Sequence, residues 1–213
     1  MGVVDHGMGN LRSVAKALEA VGAEVVVTAD RSALARQDAL CVPGQGIFGR
    51  CVDGLAENGL DHFIRNWIAE DRPYLGICLG LQVLFEQSAE GGRVAGLGVL
   101  EGDVVRLPSS VVVPHIGWNT VGDTYYYFDH SYVVVPKDLS IVAGWTDHGA
   151  DFAAMVATGP ILGVQFHPEK SGRAGLSLLE TWLQAPEALA ERGVAPTSKV
   201  DSVGGGSIDR ESA

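Results

Sequence analysis

Residues 73–88 read PYLGICLGLQVLFEQS, and their pattern sets the architecture expected of everything around them. Tyr74–Ile77 is apolar and short enough for a buried strand, the run from Gly80 to Ser88 continues with a helical pattern, and Cys78 stands at the junction between Gly76 and Gly80. A strand that turns sharply into a helix lifts the side chain at the turn out of the sheet, and flanking glycines keep other side chains off it. This is a nucleophile elbow with cysteine in place of serine. The helix N-terminus would favour the thiolate, and the Leu79 amide would point at a developing oxyanion.

Residues 1–88 alternate short β-branched runs with helical patterns, the rhythm of βαβ units and a parallel sheet. Strands are expected at Met1–Asp5, Glu24–Thr28, Ala39–Val42 and Tyr74–Ile77. Leu11, Val14, Leu18 and Val21 recur at helical spacing, with Gly22 placed to take the left-handed residue that ends a helix. Phe63, Ile64, Trp67 and Ile68 mark a second helix, stopped by Pro73. From Gly98 to Gln165, Val- and Tyr-rich runs broken by Gly, Pro and Asp predict antiparallel strands. An amphipathic helix from Arg173 to Gln184 follows, ended by Pro186. The domain is thus expected over 1–185, and residues 186–213, poor in large apolar groups and carrying Gly204–Gly206, read as a disordered tail.

The 213 residues are 46% hydrophobic, enough for a buried core, and carry 26 acidic against 15 basic side chains, a net charge of −11. A surface of that sign repels polyanions, so neither nucleic acid nor an anionic membrane is an expected partner. No apolar run approaches the roughly 18 residues of a membrane span, and the first residues carry no basic, apolar leader pattern. Cys41, Cys51 and Cys78 are odd in number and lack CxxC spacing, which argues against a disulfide framework and fits the cytoplasm.

A thiolate needs a base. Among six histidines, His167 has an orienting partner close by: in GVQFHPE (163–169), extended chain puts Glu169 on the same side two residues on. The expected roles are Cys78 as nucleophile, His167 as general base and then acid, and Glu169 as the carboxylate that orients the ring. GQGIFG (44–49) matches the dinucleotide fingerprint, but no carboxylate follows at the end of a next strand. What remains is either a tight βα turn or a glycine turn whose amides approach a bound group. His115 and His130 lie in no metal-ligand spacing, so no metal is expected. Trp118, Tyr125–Tyr127 and Tyr132 default to core.

Together these motifs resemble the class I glutamine amidotransferases. GICLGLQ and VQFHPE are similar to segments shared across that class, whereas DHGMGNLRSV (5–14), PHIGWN (114–119), FDHSY (128–132) and HPEKS (167–171) resemble its histidine-pathway branch, the glutaminase subunits of imidazole glycerol phosphate synthase. The resemblance implies a three-layer, flavodoxin-like α/β fold: a mixed central sheet with helices on both faces, plus a smaller antiparallel sheet. It implies that Cys78 attacks the side-chain amide of glutamine, releases ammonia and forms a thioester that water hydrolyses, without cofactor. It also implies that Gly44, Gln45 and Gly46 of the PGQG turn supply a second oxyanion amide beside Leu79, and that Gln82, Glu90, Ser131 and Tyr132 hold glutamine.

The implied partner is a (β/α)8-barrel cyclase that receives the ammonia in a heterodimer, with Asn10, Trp118, Tyr127 and Lys170 at or near the docking face. Two positions depart from the family pattern: His6 stands for the usual Tyr, and Gln45 for the Val of the PGVG turn. The alternatives are the glutaminase of another class I amidotransferase, such as that of anthranilate or guanylate synthesis, and a non-catalytic flavodoxin-like module.

Overall fold

Strands buried on both faces alternate their side chains between two cores, and that alternation organises this molecule. The computed structural model describes residues 1–186; the tail expected over 186–213 lies, past Pro186, outside the described residues. The first half contains β1 (Gly2–Val4), α1 (Leu11–Ala20), β2 (Val26–Thr28), α2 (Arg31–Ala35), β3 (Leu40–Gly44), α3 (Phe48–Glu57), α4 (Leu60–Ala69) and β4 (Tyr74–Cys78). A single turn, α5 (Leu79–Gln82), leads into β5 (Phe85–Ser88), β6 (Val94–Ala95), β7 (Leu100–Arg106), β8 (His115–Val121) and β9 (Thr124–His130). The chain closes with β10 (Tyr132–Pro136), β11 (Val142–Asp147), β12 (Asp151–Thr158), β13 (Ile161–Val164) and α6 (Gly172–Gln184).

The main sheet runs in the order β2, β1, β3, β4, β13, β12, β10, β7, β5, β6, with β11 paired to β12 off this path. It is parallel from β2 to β13, and antiparallel where β13, β12, β10 and β7 meet. β8 and β9 form a separate two-stranded antiparallel sheet. Val3, Cys41, Leu75 and Val164 point to one face, where α1 and α6 cover them with Val14, Leu18, Leu178 and Trp182. Their neighbours Val4, Val42 and Tyr74 point to the other, against Phe48 and Leu55 of α3 and Ile64 and Trp67 of α4. Each fully buried side chain of this size contributes about 1.5–3 kcal/mol, so helices on both faces are a consequence of the strand composition.

Helix α1 ends as its sequence predicts. Gly22 has φ 93°, its N–H donates to Glu19 O (3.0 Å), and Ala23 N–H donates to Leu18 O (3.1 Å), the paired bonds of a Schellman motif. The expected stop of α4 at Pro73 is displaced: the helix ends at Ala69, because Asp71 takes the left-handed conformation (φ 54°) and Arg72 N–H turns back to Trp67 O (3.2 Å). The helix expected after the elbow is also shorter. It makes one turn, after which residues 85–88 pair as a strand with β7. Phe85 and Ser88 are both buried there, two side chains that a short apolar run cannot assign to helix or strand by periodicity alone. The amides that follow Cys78 are therefore those of a single turn, not the end of a long helix.

Most of the antiparallel segment extends the central sheet, and only β8 and β9 stand apart. The default expectation of core holds for Tyr126, which stacks on Phe166, and for Tyr132, but not for Trp118 and Tyr125, which are 57% and 62% exposed. No described helix is long and apolar enough to cross a membrane.

Candidate active site

The sharp turn at Cys78 has φ 54° and ψ −103°, a conformation that costs a non-glycine residue about 1–3 kcal/mol and survives only where its surroundings hold it. They do so through glycines. A Cβ on Gly76 would run into the Gly80 carbonyl, and one on Gly80 into the Val42 carbonyl, so the first turn of α5 sits against β3 and β4 as no larger residue allows. Tyr74 Oη donates to Gly80 O (2.8 Å) and locks the turn from below. The parallel register sets Gly44 opposite Cys78 on one side and Val164 opposite Ile77 on the other. Both neighbouring strands therefore release their chains at the level of the sulfur.

From β13 comes His167. Its Nδ1 lies 2.8 Å from Glu169 Oε1, and both side chains are only 2% exposed. The local conformation differs from the extended chain expected: β13 ends at Val164 and Pro168–Lys170 forms a 3-10 turn. The turn still brings the two together, because Lys170 N–H (3.0 Å) and Ser171 Oγ both donate to His167 O. Burial alone would lower the imidazole pKa; the Cys78 sulfur and the Glu169 carboxylate outweigh it and raise the pKa to about 9. The remaining ring nitrogen, Nε2, has no partner of good hydrogen-bonding geometry, although the sulfur is near enough to act on the ring. Sulfur, imidazole and carboxylate thus converge.

The PGQG turn packs against the elbow. A Cβ on Gly44 would collide with Leu79 Cβ, which is why only glycine lets the two backbones approach here. Gln45 Nε2 donates to Asp129 Oδ2 (3.3 Å), and Lys170 Nζ lies 3.7 Å from the same oxygen. His6 is buried beneath the turn. Its Nε2 lies 2.6 Å from Pro43 O, which can only accept, so that nitrogen carries the proton. Nδ1 then faces Cys51 Sγ at 3.8 Å as an acceptor. Cys51 and Cys41 are buried and free, as expected. Desolvation raises the pKa of both, that of Cys51 to about 12.

A cleft of about 280 Å³ opens above Cys78 and Leu79. All four positions expected to hold glutamine, Gln82, Glu90, Ser131 and Tyr132, line it, as do Gln45 and Gly46. Glu90 is fixed by accepting from Phe48 N–H through Oε2 (2.7 Å). Of the docking positions, Trp118, Tyr127 and Lys170 form one patch: the two rings are 6.0 Å apart and the ammonium sits 5.6 Å over Tyr127. Asn10 caps α1 by accepting from Ser13 N–H (3.3 Å) and borders a small cleft with Gln45, His167 and Glu169.

Three groups at the site escaped the sequence reading. Gln165 donates from Nε2 to Cys78 Sγ (3.4 Å); its signal was a single amide in an apolar strand, two residues before His167. Asp129 gathers Gln45 and Lys170, which nothing local in the sequence announces. His115 and His130 pair through Nδ1 and Nε2 at 3.0 Å, a consequence of the β8–β9 register. Burial keeps both neutral, with pKa values lowered to about 4 and about 3. Among the described residues no group of His, Cys, Asp and Glu is arranged to hold a metal ion.

Comparison with known proteins places this geometry in a class. A family model described as glutamine amidotransferase class-I matches residues 2–184. The imidazole glycerol phosphate synthase subunit HisH of Rhodopirellula baltica is 46% identical over 202 residues, covering 88% of this chain and 98% of that protein. The HisH subunit of Aquifex aeolicus is 48% identical, covering 88% and 97%. A crystal structure titled glutamine amidotransferase superposes with a TM-score of 0.70 at 23% identity, covering 89% of this chain and 98% of that one. The chain belongs to the class I glutamine amidotransferases, and within them to the family of HisH subunits of imidazole glycerol phosphate synthase. It is an enzyme of the glutaminase type.

Proposed function

We propose that the protein hydrolyses glutamine through the Cys78, His167 and Glu169 triad and passes the ammonia to a (β/α)8-barrel cyclase bound as the second subunit of a cytoplasmic heterodimer in histidine biosynthesis. The observation that carries the chemistry is the His167–Glu169 pair held at 2.8 Å beside a cysteine on a strained elbow. Cys78 sulfur attacks the side-chain carbonyl carbon of glutamine. The tetrahedral oxyanion is received by Leu79 N–H and an amide of the Gly44–Gly46 turn. His167 gives its proton to the nitrogen, ammonia leaves, and a thioester remains. The ring then takes a proton from water, which attacks the thioester; glutamate departs and the sulfur is freed as thiolate. Gln82, Glu90, Ser131 and Tyr132 hold the amino-acid end of the substrate.

The partner reading is supported by the exposed face of β8, where Ile116 (59%) and Trp118 project beside Tyr127 and Lys170, an apolar and charged patch suited to a protein surface. The cytoplasmic reading is supported by three free thiols. Glutamate release should be slow alone and rise when the cyclase and its ribonucleotide ligand are added. Unchanged release on adding them, or activation by an anthranilate or guanylate synthase instead, contradicts the partner assignment.

The raised pKa of His167 has a direction. Below about 9 the imidazolium is present and can protonate the leaving ammonia; as pH rises through that value the proton is lost. kcat/KM should therefore fall on the alkaline side, by about tenfold per pH unit above 9. Glu169→Gln removes one of the influences that raise the pKa, so its alkaline limb should lie at lower pH. A pH profile of glutamate release for both proteins checks this.

A further inference from the structure

We propose that Gln165 is a fourth catalytic residue, whose side-chain amide donates to Cys78 Sγ and holds the sulfur, as thiolate, aimed into the glutamine cleft. The inference deepens the triad reading and rests on it. Gln165 is fully buried and stands one residue past Val164, which pairs with Ile77, so the parallel register itself delivers its side chain to the level of Cys78.

The orientation of the amide follows from its neighbours. Tyr132 O is a backbone carbonyl and can only accept. The end of Gln82 that faces it at 3.0 Å is therefore the NH2 group, and the same nitrogen lies 3.0 Å from Gln165, whose facing atom must be oxygen. The other end of Gln165, the NH2 group, is left 3.4 Å from Cys78 Sγ. Tyr132 O is doubly engaged, since His130 Nδ1 approaches it at 3.0 Å, and neutral His130 takes its other hydrogen bond from His115. A single carbonyl thus fixes a run of donors that ends on the reacting sulfur.

A donor aimed at sulfur acts twice in the cycle. It favours the thiolate before attack, and it receives the charge that returns to sulfur when water expels the thiolate from the thioester. His167 remains the proton carrier; Gln165 moves no proton and supplies a fixed dipole.

The test is the rate of Cys78 alkylation by iodoacetamide in the full chain as a function of pH, read beside glutamate release, with Cys41 and Cys51 buried and silent. Gln165→Leu removes the donor, and Gln165→Glu keeps the shape while turning carboxylate oxygens toward sulfur. Both should shift the alkylation profile to higher pH, with a loss at pH 7 of about three- to tenfold for Gln165→Leu and more for Gln165→Glu, read on protein shown to be folded by its cooperative thermal transition. If Gln165→Leu does not fold, the near-isosteric Gln165→Glu carries the test. If Cys78→Ala is inactive and the Gln165 variants alkylate along the parent's profile, the role of Gln165 alone is overturned. If Cys78→Ala still releases glutamate, the triad reading falls and the role of Gln165 with it.

Discussion

Cys78→Ala should abolish glutamate release, with or without the cyclase, by at least about 10³-fold, because every covalent step uses the sulfur. Its stability should fall only modestly: the site retains the same positive φ, where alanine meets the same steric cost, and the loss is that of the sulfur acceptor of the buried Gln165 amide, about 1 kcal/mol. Cys78→Gly should be equally inactive yet unfold at higher urea than Cys78→Ala, by about 1 kcal/mol, since glycine adopts this conformation without penalty. The pair of variants separates what the cysteine does for chemistry from what its backbone costs the fold. Denaturation curves and a coupled glutamate assay on the two proteins provide both readings.

Gly80→Ala should damage stability most among single-methyl additions near the site. The added Cβ meets the Val42 carbonyl oxygen, which is backbone within the central strand β3 and cannot rotate aside. Overpacking of this kind costs about 3 kcal/mol or more, and relief would come from shifting α5 away from β3. That movement carries the Leu79 amide out of line with the PGQG turn, so activity should fall even in the fraction that folds. Gly49→Ala is the matched control. It lies in α3, where the added methyl would meet nothing within 4 Å beyond its own helix, so it should be neutral or gain up to about 0.5–1 kcal/mol from helix propensity. Urea unfolding of both variants decides the comparison.

What could be read in advance was whatever the chain encodes over a few residues. The elbow is local: two glycines four apart bracket a cysteine, and the strand before it is apolar throughout. The His167–Glu169 pair was visible by its spacing, although the chain reaches it through a 3-10 turn, because a histidine and a carboxylate two residues apart can meet in either conformation. Helices on both faces were implied by the resemblance, whereas the sharing of one face by α1 and α6 and of the other by α3 and α4 emerged only with the fold.

What stayed hidden depends on register between distant segments. Residues 85–88 became a strand because β7 offered a partner, which their own pattern does not reveal. The exposure of Trp118 and Tyr125 follows from β8 and β9 leaving the main sheet, while a run of aromatic residues reads equally well as core. The amide run from Tyr132 through Gln82 to Gln165 joins residues 33 to 83 positions apart from one another in sequence. Only the parallel pairing of β13 with β4 places its end on the sulfur.

The most direct test of the triad is labelling with a diazoketone analogue of glutamine in the presence of the cyclase, followed by peptide mass spectrometry. One adduct on Cys78, formed at a rate that collapses in His167→Ala and is protected by glutamine, is the expected result. Glutamate release that continues while Cys78 stays unlabelled, or an adduct on Cys41 or Cys51 instead, would contradict the account.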